Sequence, residues 1–369
     1  MERLTATYLI GSDAAGIAGR AQALAIEQSV ECPLEAIHDP RIRDDIVARV
    51  ASIEPAGPER YRVAVEIAVE TTGYETAQLI NMVFGNCSLW ENVQLVDIDL
   101  PPDLLAIFPG PRHGIAGIRA LLDAPRRPLT SAAMKPQGMT VDQLAAMCRT
   151  FALAGVDIVK DDHGIADQVY SPFAQRVPAC QAAIAEATAA TGKPAFYAPH
   201  LIGTPGVLRE RAHVARDAGV RVVLVAPMLL GLPAFRDLVD EFPEFVYLAH
   251  PAFGGAARIA PALLFGTIFR LLGADAPIFV NYGGRFAYSR DECGALAAAA
   301  RAPWGAVRPA LPVPAGGMRL DRVPELLDYY GPDTMLLIGG NLLLAQGGAL
   351  LARAREFVAA VESWAAART

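Results

Sequence analysis

Cysteine is scarce in this chain and poorly placed for pairing. Of 369 residues, five are cysteines (Cys32, Cys87, Cys148, Cys180, Cys293), scattered with no Cys-x-x-Cys spacing. This argues against a disulfide framework and against the common zinc motifs, and the odd count fits a reducing, cytoplasmic setting. Long apolar runs are also missing. Hydrophobic residues make up 53% of the chain, yet none of the runs reaches the roughly 18 residues of a membrane span. The opening stretch "MERLTATYLIGSDAAG" has no charged segment leading into a long apolar one, as a secretory signal would. Charge is sparse at 19%, and the net −7 is spread over interspersed signs. Without a Lys/Arg run, neither nucleic acid nor a membrane surface is an expected partner. No repeat longer than a strand–helix period occurs, and no low-complexity segment.

What is present from about residue 130 onward is an alternation of short apolar runs and amphipathic stretches. The strand candidates are "SAAMKP" (131–136), "DIVKDD" (157–162), "AFYAPH" (195–200), "VRVVLVAP" (220–227), "EFVYLAHP" (244–251), "PIFVNYGG" (277–284), "LPVPAGG" (311–317) and "TMLLIGG" (334–340). Each is apolar without polar alternation, as expected of strands covered on both faces. Between them lie helical patterns such as "VDQLAAMCRTFALAG" and "DRVPELLDYYG", the latter with an Asp cap and a terminal Gly. Eight strands, each followed by a helix, predict a (β/α)8 barrel over 126–369. An open doubly wound sheet would need a dinucleotide fingerprint after its first strand, and "MKPQGMTVDQ" is not one. Residues 1–125 read differently. "LTATYLIG", "YRVAVEIAVE" and "ENVQLVDIDLP" look like strands, and "AGIAGRAQALAIEQ" and "TAQLINMVFG" like helices. This predicts a small ferredoxin-like α+β sandwich, joined to the barrel through "PRRPLT".

Barrel enzymes carry their chemistry at the C-terminal ends of the strands. In this chain those ends hold Lys135, then Lys160 with Asp161, Asp162 and His163, then His200, His250, Asn281 with Arg285, Gly316–Gly317 and Gly339–Gly340. Asp162 and His163 together suit a divalent ion, the carboxylate favouring Mg2+. The plainer reading is a structural Lys160–Asp162 salt bridge, which burial would make only marginally favourable. The paired glycines after strands seven and eight expose backbone N–H groups where barrels often bind phosphate, although tight turns would also use them. A lysine facing a metal in a dry site gives up its proton more readily, which makes Lys135 a candidate general base; otherwise it is a surface lysine.

These stretches, taken together, resemble the RuBisCO large-subunit superfamily. "VDIVKDDHG" is similar to its K-D-D-E metal motif, "AAMKPQG" to its first-strand I-K-P-K, and "FPGPRHGIAG" to F-x-G-P-x-H-G-I. "FGN" (84–86), "AIEQS" (25–29), "VPAGG" and "LIGGN" resemble further segments of the family in the same order along the chain. The resemblance implies that CO2 carbamylates Lys160, and that the carbamate, Asp162 and His163 bind Mg2+. Lys135 would move protons on an enediolate, and His250 would be an active-site histidine. Gly316, Gly317, Gly339 and Gly340 would hold one phosphate. Glu27 and Asn86 would reach the site of the other subunit in a homodimer.

Departures from the family pattern narrow the reaction. His163 replaces the third ligand, a glutamate. Pro251, Asn281 and Ala315 stand where the family has the arginine, histidine and serine of a second phosphate site. The loop "NYGGRFAYSRDE" has no lysine where carboxylases keep one, Arg285 being the nearest cation. The chain therefore looks like a form IV, RuBisCO-like protein that does not carboxylate ribulose bisphosphate. The expected reaction is isomerisation of a monophosphorylated ketose of the 5-methylthioribulose 1-phosphate type. Alternatives are a decarboxylase or transcarboxylase of a β-keto sugar-acid phosphate (3-oxo-isoapionate 4-phosphate type), a 2,3-diketo-5-methylthiopentyl-1-phosphate enolase, and a non-catalytic binding relative.

Overall fold

Along Arg3–Gly11 (β1) every second residue is buried, Leu4, Ala6, Tyr8 and Ile10 facing inward. That period of two belongs to a strand with one covered face. In the computed structural model, which describes residues 2–345 and 348–368, β1 is central to a four-stranded antiparallel sheet. Its other strands are Arg49–Pro55 (β2), Arg60–Ala68 (β3) and Val93–Asp99 (β4), in the order β2–β3–β1–β4. Helix Ile17–Glu27 follows β1 and helix Thr76–Phe84 follows β3, giving the βαββαβ sequence of a ferredoxin-like fold. The helices bury Ala21, Leu24, Leu79 and Val83. Strand β2 was not expected from sequence. It is an edge strand with four of its seven residues exposed, and it ends in Pro55, so its apolar signal is weak.

This sheet belongs to a first unit made of residues 1–108 and 254–264; the second unit comprises 109–253 and 265–369. The 254–264 segment joins the first unit through backbone bonds, Leu95 N–H to Arg258 O and Ala260 N–H to Leu95 O.

The second unit is built on eight short parallel strands: Leu129–Ala133 (β5), Ile158–Lys160 (β6), Phe196–Ala198 (β7), Val222–Val225 (β8), Val246–Ala249 (β9), Ala276–Val280 (β10), Val313–Ala315 (β11) and Met335–Ile338 (β12). Two runs, β12–β5–β6–β7 and β8–β9–β10–β11, form regular ladders. They are joined by the Leu224 N–H to Pro199 O bond with a His200–Leu224 bridge on one side, and by Met335 N–H to Pro312 O on the other. The result is the (β/α)8 barrel, its strands buried on both faces as their unalternated sequences predict.

Alternate strand residues fill the barrel interior: Leu129 and Ala133, Ile158, Ala198, Val222 and Leu224, Val246 and Leu248, Ala276 and Ile278, Val313 and Ala315, Met335 and Leu337. Continuing that period of two past the strand ends gives Lys135, Lys160, His200, His250, Gly317 and Gly339 as the inward positions of the C-terminal rim. The helix after β5, Val141–Leu153, starts on a full capping box between Thr140 and Gln143. The expected Asp cap of the helix Val323–Tyr330 is not made. Its N-cap is Arg322, with no side-chain cap, and Asp321 is engaged by the Arg319 guanidinium instead. The expected terminal Gly331 does close that helix, at φ 79.

Candidate active site at the barrel mouth

The end of β6 separates its charges by strand alternation. Lys160 continues the inward row and Asp161 turns outward, between the strands and the helix Phe173–Thr191. Asp161 is fully buried and accepts three hydrogen bonds: from Tyr197 Oη (2.8 Å), from His200 N–H (3.0 Å) and from Arg176 Nη2 (3.2 Å). Burial alone would weaken the Arg176 cation, but the Asp161 carboxylate, together with Tyr197 and Cys180, outweighs this, so the guanidinium pKa is raised. Arg176 also donates to Ser171 O and Ala166 O, both at 2.7 Å. Asp161 therefore acts as an anchor behind the site.

Lys160 is 2% exposed, and its Nζ donates to Asp161 O at 2.7 Å. Desolvation, reinforced by the Lys135 charge, pushes its pKa down to about 8, against the pull of Asp162. The plain Lys160–Asp162 ion pair does not form. Asp162 pairs with Lys135 instead, Nζ to Oδ1 at 2.5 Å, and lies 3.4 Å from His163 Nδ1. Burial pushes the Asp162 carboxyl up, yet His163, Lys135 and Lys160 together hold it well below the usual range. The His163 ring stacks on that of His250, with centroids 4.2 Å apart. His250 Nδ1 accepts the Ala252 N–H at 3.1 Å, and burial with the nearby Lys160 lowers its pKa to about 2. Lys135, Lys160, Asp162, His163 and His250 thus share one small region of the rim.

Of the four glycines, Gly339 lies beside this group. A Cβ on Gly339 would stand 3.6 Å from Lys135 Cε, whereas Gly340 faces open space. Gly316 and Gly317 have φ of 83 and 82, the left-handed region that favours glycine. A Cβ on Gly317 would meet Arg285 N at 2.8 Å, so the 283–286 loop packs backbone to backbone on this turn. Arg285 itself is exposed and stacks over Phe286. Asn281 is 1% exposed and its amide is largely committed, accepting from Tyr330 Oη (2.6 Å) and donating to Tyr282 O (2.9 Å). Glu27 and Asn86 lie in the first unit, joined by a 3.0 Å hydrogen bond. A cleft of about 720 Å3 in that unit, lined by Gly11, Asp13, Glu59, Arg60 and Arg258 among others, contains none of the expected site residues. Convergent titratable groups favour the barrel rim over that cleft.

Among the described residues, no three His, Cys, Asp or Glu side chains are grouped to hold a metal ion. Sequence reasoning placed His200 on the rim without a role, and it missed Arg176. A lone arginine in the Ala-rich helix "FAQRVPACQAAIAEATAAT", opposite a strand-end aspartate, was the available signal.

The family model for the ribulose bisphosphate carboxylase large chain, catalytic domain, matches residues 114–275. The chain is 52% identical over 362 residues to "Ribulose bisphosphate carboxylase-like protein 1" of Rhodopseudomonas palustris, covering 98% of each chain. It is 50% identical over 361 residues to the 5-methylthioribulose-1-phosphate isomerase of Rhodospirillum rubrum, covering 98% of this chain and 96% of that one. The crystal structure of a Rubisco-like protein from Rhodopseudomonas palustris superposes with a TM-score of 0.92 at 49% identity, over 98% of both chains. The chain belongs to the RuBisCO large-chain family, among its RuBisCO-like members.

Proposed function

We propose that this chain is an isomerase of the 5-methylthioribulose 1-phosphate type, moving protons on a monophosphorylated ketose. The observation that carries the reading is the cluster of Lys135, Lys160 and Asp162 beside the Gly339 turn, in a chain 50% identical to an enzyme of that name.

The residues fit Mg2+ held with a lysine carbamate. A neutral amine attacks CO2, and Lys160, lowered to about 8 by burial, is in part neutral at physiological pH. Carbamylation would turn a buried cation beside Lys135 into an anion. Together with Asp162 it would provide two oxygen donors, and His163 a nitrogen. When bound, Mg2+ would supply Lewis-acid polarisation of the ketose carbonyl. Asp162 would then trade its Lys135 partner for the ion it holds, and the Lys135 side chain, its extra proton passed to solvent, would turn to the substrate. As an amine, Lys135 takes the proton from the carbon next to the carbonyl. The C–H electron pair forms the C=C bond of the enediolate while the carbonyl π pair moves onto its oxygen; Lys135 then returns the proton to the former carbonyl carbon as the adjacent hydroxyl passes its proton to the first oxygen and becomes the new carbonyl. Gly316, Gly317, Gly339 and Gly340 are assigned to the phosphate, and His250 to a substrate oxygen through its Nε2–H. Asn281 and Arg285 border the substrate. Glu27 and Asn86 are assigned to the site of a partner copy in a homodimer in the cytoplasm.

The test is a substrate panel with Mg2+ and bicarbonate: 5-methylthioribulose 1-phosphate, 2,3-diketo-5-methylthiopentyl 1-phosphate and a β-keto sugar-acid phosphate. Faster turnover of the first to an isomeric ketose phosphate supports the proposal. Release of CO2 from the keto acid as the main activity refutes it, as does preferential enolisation of the diketone.

A further inference from the structure

His200 is pinned on every side but one. Its main-chain N–H donates to Asp161 at 3.0 Å, and Asp161 is itself locked by Tyr197 and Arg176. Its ring Nδ1 lies 3.2 Å from Ile165 O. A carbonyl oxygen only accepts, so Nδ1 carries the hydrogen. In a neutral imidazole this leaves Nε2 as a bare acceptor. Nε2 is fully buried, and no protein group among the described residues bonds it. A buried acceptor without a partner is costly, and it calls for an explanation such as a catalytic role or a bound group. The ring is also well placed. His200 follows Ala198 by two on β7, so it continues the interior row of the barrel, as Lys160 does from Ile158.

The charges around the ring support a neutral state. Lys160, His163 and Arg176 act on it electrostatically, and burial with the Lys160 charge lowers its pKa to about 3. With Nδ1 donating to Ile165 O, the neutral ring presents Nε2 as a hydrogen-bond acceptor. Metal binding is a different use of the same lone pair, and the fixed ring orientation does not by itself distinguish the two. His200 stands on the interior row, on the strand next to that of Lys160, where a substrate lying over the barrel mouth would present its hydroxyls.

We propose that His200 is a further catalytic residue, whose Nε2 accepts a hydrogen bond from a hydroxyl group of the phosphosugar. This rests on the isomerase reading, since that substrate offers secondary hydroxyls beside the carbonyl. The proposal makes His200 an orienting group that selects hydroxylated over deoxygenated phosphoketoses.

The variants His200→Asn and His200→Gln separate the roles. Asparagine keeps a donor for Ile165 O and removes the Nε2 acceptor; glutamine restores an acceptor near the Nε2 position. Binding of 5-methylthioribulose 1-phosphate is measured by calorimetry, alongside kcat and KM. Loss of a buried acceptor opposite a hydroxyl predicts about 10- to 100-fold weaker binding for His200→Asn, with partial recovery in His200→Gln. A 4-deoxy or 3-deoxy analogue should bind both wild type and His200→Asn equally weakly. Side-chain 15N–1H spectra of the ligand-free protein should show His200 protonated at Nδ1. Wild-type affinity in His200→Asn, or a proton on Nε2 in the free protein, overturns the proposal. So does loss of Mn2+ affinity in His200→Asn as large as that in Asp162→Asn, which would make the ring a metal ligand. Failure of the isomerase reading looks different: wild type then binds the sugar phosphate without converting it, and the His200 comparison still reads out by calorimetry. If wild type does not bind it at all, both fall.

Discussion

Substituting Asp161→Asn removes the negative charge from a pair in which neither side chain has any exposure to solvent. Removing one partner of a buried ion pair costs about 3–5 kcal/mol, because the remaining charge is left uncompensated. Here Arg176 retains Ser171 O and Ala166 O as acceptors, and asparagine can still accept one of the bonds from Tyr197 or His200. The expected loss is therefore at the lower end, about 3 kcal/mol. The double variant Asp161→Asn with Arg176→Met removes both charges and should recover about 1 kcal/mol or more relative to the sum of the singles. Urea unfolding followed by tryptophan fluorescence in a Trp90→Phe background reads the second unit, because Trp304 and Trp364 both lie there. A loss below about 1 kcal/mol for Asp161→Asn, or strictly additive singles, would show that the pair is not the anchor described.

Lys160→Ala and Lys135→Ala should each lower kcat by about 100-fold or more with unchanged circular dichroism, as expected when a base or a metal-holding group is lost; full activity in Lys135→Ala would move the base to another residue. Gly317→Ala forces a side chain into a φ of 82 and against Arg285 N, and should cost about 1–3 kcal/mol of stability and raise KM for the phosphorylated substrate. His200 is held neutral, its pKa lowered from 6.5 to about 3. The unfolded chain then binds more protons below pH 6.5, so this contribution is complete above 6.5 and is lost as pH falls towards 3. At pH 5 the loss is about 2 kcal/mol, and His200→Asn should flatten acid unfolding between pH 6.5 and 3. Chelation with EDTA in CO2-depleted buffer should abolish turnover, and recovery should need both Mg2+ and bicarbonate.

The barrel was legible because its strands are buried on both faces, and an unalternated run such as "VRVVLVAP" reads the same in any context. Lys160 and Asp162 stood out because four ionisable groups ending an apolar strand are more than one buried salt bridge would need. What remained hidden depends on contacts distant in the chain. Whether Asp161 or Asp162 faced the barrel follows from alternation only once the strand register is known, and Arg176 becomes its partner only when the helix docks. Asn281 was legible as a rim residue, but the Tyr330 hydroxyl that donates to its carbonyl oxygen lies 49 residues away in the chain. Strand β2 escaped notice because an edge strand carries little apolar pattern. His200 was visible as a rim residue, but its significance lies in one unbonded nitrogen, which is set by the positions of Ile165 O and Asp161.

Proton transfer on a monophosphorylated ketose is read out by NMR in D2O. The enzyme is incubated with Mg2+, bicarbonate and 5-methylthioribulose 1-phosphate. The account predicts an isomeric ketose phosphate, with solvent deuterium at the carbon that receives the proton and no CO2 released. An unchanged sugar phosphate with no deuterium incorporated, under conditions where Lys160 is carbamylated, would contradict it.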